Sequence, residues 1–295
     1  MTPMTWFQSP ADVAERLGSV GYLTDAATAT TAFLAGALEK PLLLEGPAGV
    51  GKTELAKAVS RATGGELVRL QCYEGLDEAR ALYEWNYKKQ LLRIQAESNT
   101  TGDALDWGRT HDDIFSEEFL LTRPLLTAIR RDEPTVLLID EVDKTDVEVE
   151  GLLLEVLSDF QVTIPELGTV AAVRRPYVVL TSNASRELSE AVKRRCLYLH
   201  LDYPDAAREH EILRSQVPDL DDRIAAQVVA TVGRLRDLEL KKAPSIAESV
   251  DWARTLLALE IRDLDEKAVA DTLGVVLKHA SDQERAVREL RLAKR

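Results

Sequence analysis

The glycine-rich segment Gly46-Pro47-Ala48-Gly49-Val50-Gly51-Lys52-Thr53 constrains this chain more than any other stretch. It follows the apolar run Pro41-Leu42-Leu43-Leu44-Glu45. It opens a segment with helical spacing, Leu55, Ala56, Val59 and Ala62, that stops at Gly64-Gly65. Strand, glycine turn and helix are the context in which G-x-x-x-x-G-K-[ST] reads as a phosphate-binding loop. Glycines let the backbone curl so that successive N–H groups converge on phosphate oxygens. The following helix points its positive end at the same place. In such a loop Lys52 reaches the β- and γ-phosphates, and the Thr53 hydroxyl binds Mg²⁺.

Composition narrows the setting. With 295 residues, 45% hydrophobic and 29% charged, the chain can bury a sizeable core as one large domain or two smaller ones. No apolar stretch approaches the roughly 20 residues of a membrane span, and Met1-Thr2-Pro3-Met4-Thr5-Trp6 does not read as a signal peptide. No membrane insertion and a cytoplasmic location are therefore expected. Cys72 and Cys196 make neither a metal spacing nor a disulfide framework, and read as buried thiols. The net charge of -13 argues against a nucleic-acid substrate, whose binding proteins carry a basic footprint.

Along the chain, helices are expected from Pro10 to Gly18 and, capped by Thr24, from Asp25 to about Leu38. Glu66 to Gln71 alternates as a strand. A helix from Asp77 to Leu92 and a second from about Ser116 to Arg131 flank the polar segment Glu97 to Asp103, an insertion at about 93–113. Thr135 to Ile139 and Tyr177 to Thr181 are continuous apolar runs, as parallel strands buried on both faces require. Between them lie a helix, Glu148 to Ser158, and a β-hairpin at about 160–174. A short helix, Glu187 to Arg194, leads to a strand from Cys196 to Leu201. After Pro204 only helical patterns remain, at about Asp205–Gln216, Asp221–Leu238, Ser245–Glu260 and Glu266–Leu277, and Asp282 to Arg295 reads as a fraying end. Ser245-Ile246-Ala247-Glu248 has capping-box spacing. The expected division is an α/β nucleotide domain, 1–203, and a small helical domain, 204–295.

Three further signals carry chemistry. Asp140 and Glu141 end a buried strand, where a phosphate-loop protein holds its Mg²⁺ through an Asp and polarises the attacking water with an acid. Asn183 ends the next strand and can orient that water. Lys193-Arg194-Arg195 either complements a helix C-terminus or supplies an arginine finger to a neighbour.

This order of motifs resembles an AAA+ ATPase. Five stretches resemble its MoxR-type members, above all those accompanying carbon monoxide dehydrogenase and other molybdenum hydroxylases. They are Leu76-Asp77-Glu78-Ala79-Arg80, Glu84-Trp85-Asn86-Tyr87, Glu118-Phe119-Leu120-Leu121, Leu157 to Glu166, and Arg194 to Leu199. The resemblance implies a three-layer α/β sandwich on a parallel five-stranded sheet with an all-α lid. It implies an ATPase using ATP and Mg²⁺, working as a ring, usually a hexamer, on a protein client with a von Willebrand factor A-domain partner. By the same resemblance Gly46, Pro47, Ala48, Gly49, Val50, Gly51, Lys52, Thr53 and Glu54 bind the nucleotide. Thr53 and Asp140 hold the metal, while Lys52, Glu141 and Asn183 serve catalysis. Arg195, with Arg194 as its rival, is the finger, and Tyr22 with Leu23 faces the adenine. The sensor arginine expected at the start of the third lid helix is missing: Ala247 or Glu248 stands there, with Lys241 and Lys242 nearby. The alternatives on the same core are a nucleic-acid translocase and a metal-chelatase motor subunit.

Overall fold

The computed structural model describes residues 5–100 and 114–290. In chain order the elements are α1 (Pro10–Ser19), α2 (Ala26–Ala37), β1 (Leu42–Glu45), α3 (Lys52–Thr63), β2 (Glu66–Gln71), α4 (Glu78–Ala81), β3 (Tyr83–Trp85) and α5 (Tyr87–Thr100). Next come β4 (Leu120–Thr122), α6 (Pro124–Arg130), β5 (Thr135–Asp140), α7 (Val147–Asp159), β6 (Gln161–Ile164), β7 (Gly168–Ala171), β8 (Tyr177–Ser182), α8 (Glu190–Arg195) and β9 (Leu197–His200). The chain continues as helices: α9 (Ala206–Gln216), α10 (Asp222–Arg236), α11 (Ile246–Ala258), α12 (Glu266–Val276) and α13 (Ala280–Glu289).

Five strands form one parallel sheet in the order β2-β5-β8-β1-β9, flanked by helices. The three inner strands carry the continuous apolar runs, and β5 and β8 are buried at every residue. That pattern is what a sheet covered on both faces selects. Edge strand β2 is exposed at Glu66 and Arg69 instead. Register sets Gln71 beside Asp140, Ile139 beside Leu180 and Glu45 beside Ser182. The polar ends of four strands therefore meet at one edge of the sheet.

Tertiary contacts divide the chain into two compact units. One is Met1–Leu17, Thr24–Glu45 and Leu55–Leu199. The other is Gly18–Leu23, Gly46–Glu54 and His200–Arg295, so the phosphate loop groups with the C-terminal helices. The α/β unit packs Leu43, Leu126, Ile129, Leu137, Leu153 and Leu180 in its core. The helical unit packs Leu213, Val228, Val232, Trp252, Leu256 and Leu273. Its buried Glu209 accepts from both terminal nitrogens of Arg236, at 2.6 and 2.8 Å, and from the Ser249 hydroxyl at 2.7 Å.

Four local expectations change. The single helix from Asp77 to Leu92 is broken into α4, β3 and the start of α5. Trp85 is buried, with Phe115 edge-on at 5.1 Å, and β3 pairs antiparallel with β4. Burial of the aromatic ring outweighs local helix propensity there. The helix from Ser116 to Arg131 becomes a 3-10 turn, β4 and then α6, which starts with Pro124 at its first position. The cap of α2 is Asp25, whose carboxylate accepts from Thr28 N at 2.7 Å, rather than Thr24. The charged end from Asp282 onward forms most of α13, where Asp282 and Ala286 are buried. Asp282 accepts there from the backbone of Lys241 and Lys242, at 3.0 and 3.3 Å.

Candidate functional site

The phosphate loop is a main-chain construction. Gly49 has φ 78° and Gly46 has φ 153°, which side chains rarely tolerate. A Cβ at Gly49 would strike Ser245, and one at Gly46 would strike the carbonyl of Leu201. The Lys52 side chain is buried, and its ammonium donates to the carbonyls of Gly46 and Pro47, both at 2.7 Å. The loop thus holds its own cation. Thr53 and Glu54 lie in the first turn of α3, where helix N–H groups favour anions.

A cavity of about 350 Å³ opens beside this loop, entirely within the helical unit. Tyr22 and Leu23 line it together with Gly49, Val50, Gly51 and Glu54. Helix α9 adds Ile212 and Gln216, whose amide donates to Gly21 O at 3.0 Å. Helix α11 adds Ile246, Ala247, Val250, Asp251 and Arg254. Of the two candidates for the missing sensor position, Ala247 lines the cavity. Glu248 is a capping-box partner, accepting from Ser245 N at 2.8 Å. Lys242 is paired with Glu248 at 3.2 Å.

The acidic signal belongs to the α/β unit. Asp140 is buried at the end of β5. Its Oδ1 accepts from the Thr181 hydroxyl at 2.6 Å and its Oδ2 from Arg69 Nε at 3.1 Å. The same Thr181 oxygen accepts from the backbone N–H of Glu141 at 2.9 Å. Glu141 has left-handed backbone, φ 59°, uncommon for a residue with a side chain. Its Oε2 meets the Lys144 ammonium at 2.6 Å and accepts from Gln71 Nε2 at 3.2 Å.

Asn183 follows β8 and precedes Ala184, also at positive φ. Asp143 holds this turn from either side of Ala184: it accepts from the N–H groups of Asn183 at 3.2 Å and Ser185 at 2.9 Å, and from the Ser185 hydroxyl at 2.6 Å. Burial alone would raise the Asp143 pKa. The bonds from Ser185 and Asn183 outweigh it and hold the carboxyl below its ordinary value. Cys72 continues the edge: its backbone N–H donates to Asp140 O at 2.8 Å and its thiol is buried.

The paired arginines differ. Arg194 is 80% exposed, with a loose 3.8 Å contact to Glu190. Arg195 donates to Ser158 Oγ on α7 and, at 2.9 Å, to Ala191 O. Helix α8 is fixed beneath them by buried Glu150, which accepts from Ser189 N at 2.9 Å and pairs with Arg186. Of the proposed insertion, 93–100 lies in α5, whereas 101–113 falls outside the described residues. The hairpin is formed by β6 and β7 in antiparallel register.

Sequence reasoning missed Arg69, Gln71, Asp143, Lys144 and Thr181 around the acids, and Gln216, Asp251 and Arg254 around the cavity. Two signals were available. Arg69 and Gln71 share one face of β2 by the two-residue period, and Ala247, Val250, Asp251 and Arg254 share one face of α11 by the helical period.

Mg²⁺ takes one or two protein oxygens, keeps several waters and shares substrate phosphates, and each of the two units carries an oxygen of that chemistry. Thr53 offers a hydroxyl and Asp140 a carboxylate. Among the described residues no cluster of three or more His, Cys, Asp or Glu could form an all-protein metal cage. Among them, too, no helix is long and apolar enough to cross a membrane.

Comparison with known proteins places the chain. An uncharacterized protein of Staphylococcus haemolyticus (strain JCSC1435), SH1500, is 26% identical over 254 residues, covering 80% of this chain and 85% of its own. One from Staphylococcus aureus (strain bovine RF122 / ET3-1), SAB1265c, is 26% identical over 234 residues, covering 75% and 77%. The signature of the family described as "AAA domain (dynein-related subfamily)" matches residues 41–196, from the strand before the phosphate loop to the arginine pair. More than half the chain carries that signature, and the chain belongs to this family of AAA ATPases.

Proposed function

We propose that this protein is a Mg²⁺-dependent, MoxR-type ATPase that uses ATP hydrolysis to remodel a client protein. The observation that carries this reading is the acid edge. Asp140 ends β5 and Glu141 follows it, Thr181 stands one residue before the end of the neighbouring strand β8, and Asp143 ties the Asn183 turn to the same place.

In the proposed reaction Lys52 leaves the loop carbonyls for the β- and γ-phosphates, and α3 directs its N-terminal N–H groups at them. Thr53 and Asp140 would hold Mg²⁺, which when bound neutralises charge on the phosphate oxygens. Glu141 accepts a proton from the water that attacks the γ-phosphorus, giving ADP and inorganic phosphate. Asn183 orients that water. Arg195, or the more exposed Arg194, serves a neighbouring subunit's nucleotide, which requires a ring, in this reading a hexamer. Residues 204–295 act as the lid. The hairpin β6–β7 and the segment around 93–113 are the proposed client contacts, and a von Willebrand factor A-domain protein is the proposed partner. Maturation of a molybdenum hydroxylase in the cytoplasm is the proposed setting.

The test is Glu141→Gln, which keeps the side chain's shape and removes its basicity. The variant should bind ATP, turn over at least 100-fold more slowly, and retain its client on the ATP-bound ring. Normal turnover, or ATP-dependent capture of no specific protein, would contradict the proposal.

A further inference from the structure

Helix α11 lines the cavity beside the phosphate loop with one continuous face. Its N-cap, Ser245, abuts the phosphate loop at Gly49. The helix therefore starts against the phosphate loop. Ala247, Val250, Asp251 and Arg254 repeat at three- and four-residue spacing, and all four line the cavity. At 1.5 Å per residue, Arg254 stands about 10 Å beyond Ala247. Arg254 is also the only Lys or Arg among the described lining residues of the cavity. Its guanidinium lies 3.7 Å from the Asp251 carboxylate, and both side chains are more than half exposed. Of the alternative cations, Lys242 pairs with Glu248, and neither Lys241 nor Lys242 lines the cavity.

We propose that Arg254, oriented by Asp251, is the helical unit's contact to the nucleoside end of the bound nucleotide, replacing a γ-phosphate-sensing arginine. This rests on the nucleotide reading above. Two turns along α11 lies too far from the loop for the γ-phosphate but suits the ribose and base, in the cavity that Tyr22 also lines. A guanidinium stacks on a purine face or donates to ribose oxygens, and the Asp251 carboxylate accepts from ribose hydroxyls. The helix then registers that a nucleoside is present without reading whether its chain ends in two phosphates or three.

Equilibrium binding separates the possibilities. Arg254→Ala should weaken ATP and ADP equally, about tenfold, the scale of one charge-assisted hydrogen bond. Affinity for inorganic tripolyphosphate, which has no nucleoside, should stay unchanged. Asp251→Asn should lose a smaller factor in the same pattern, and Arg254→Lys should recover part of the affinity. Loss confined to ATP would make Arg254 a γ-phosphate sensor and overturn the proposal. So would unchanged nucleotide affinity, or equal loss of tripolyphosphate. Lys52→Ala is the control for the underlying reading. It should weaken all three ligands, and if it weakens none, the nucleotide assignment itself fails.

Discussion

Lys52 and Glu141 would serve one reaction, yet opposite means hold them. Lys52 rests on two carbonyls of its own loop, within six residues of itself. Glu141 and its neighbour Asp140 rest mainly on side chains drawn from distant parts of the chain, Arg69 and Gln71 on β2 and Thr181 on β8, with Lys144 added locally from the following turn. The first device is backbone shape, fixed by where glycines fall. The second is a charge network, fixed by which strands pair and in what register. Replacing a loop side chain other than Lys52 or Thr53 should matter less than replacing a glycine. At the acid edge the side chains are the structure.

The most severe break is at Lys52 itself. Lys52→Ala should abolish measurable nucleotide binding, a loss of 100-fold or more, about 3 kcal/mol. Glu141→Gln should leave binding intact and remove turnover, so titration calorimetry beside steady-state ATPase assays distinguishes the two devices.

Gly49→Ala tests the backbone device without touching any charge. The positive φ and the collision with Ser245 should together cost about 1–3 kcal/mol of stability or a matching loss of ATP affinity. A fully stable, fully binding variant would show that the loop is not fixed by its glycines.

Asp143→Ala tests the network. It strips the acceptor from the N–H groups of Asn183 and Ser185, and should cost about 2 kcal/mol in urea unfolding. It should lower kcat more than it raises KM, because Asn183 loses its mooring. Unchanged kcat would separate Asn183 from the reaction.

The smallest effect is a pH dependence at Glu150. Burial alone would raise its pKa. Hydrogen bonds from Ser189 and the Arg186 charge outweigh it, so the folded-state value lies below the ordinary 4.5. A depressed carboxyl stabilises the fold above the unfolded value, and that contribution is lost as pH falls through the folded one. The stability gap between wild type and Glu150→Gln should be constant near neutrality and shrink below about pH 4.5. A gap unchanged down to about pH 3 would contradict this assignment.

The same contrast explains what the sequence revealed. The phosphate loop was legible because its determinants are contiguous and its glycine spacing is tied to one backbone path. The inner strands were legible because burial on both faces leaves unbroken apolar runs. Asp140 and Glu141 stood out at the end of such a run. Their partners did not, because nothing in Arg69 or Thr181 alone says which strand will lie beside which. The order β2-β5-β8 brings them together, and that order is a property of the folded sheet. The helix expected through Trp85 failed for a related reason. Its partner strand β4 lies some 35 residues on in the sequence, beyond the reach of any local periodicity. Arg254 shares a visible helical stripe with Ala247, but the stripe acquires meaning only once Tyr22 and the loop are seen to line the same cavity.

The buried cysteine at the acid edge makes the site its own reporter. Burial first, then the charges of Asp140, Asp143 and Glu141, pushes the Cys72 thiol up to about 12. At pH 8 only about one molecule in 10,000 carries the reactive thiolate, so alkylating and disulfide reagents should pass over it in the folded protein. Cys196 is only half-buried, and desolvation, opposed by the Arg195 charge, pushes its thiol up to about 12. Any event that parts β2 from β5 would hydrate Cys72 and speed its labelling. The rate at which this thiol is modified, with and without ATP, then times the opening of the catalytic edge with no label added to the chain.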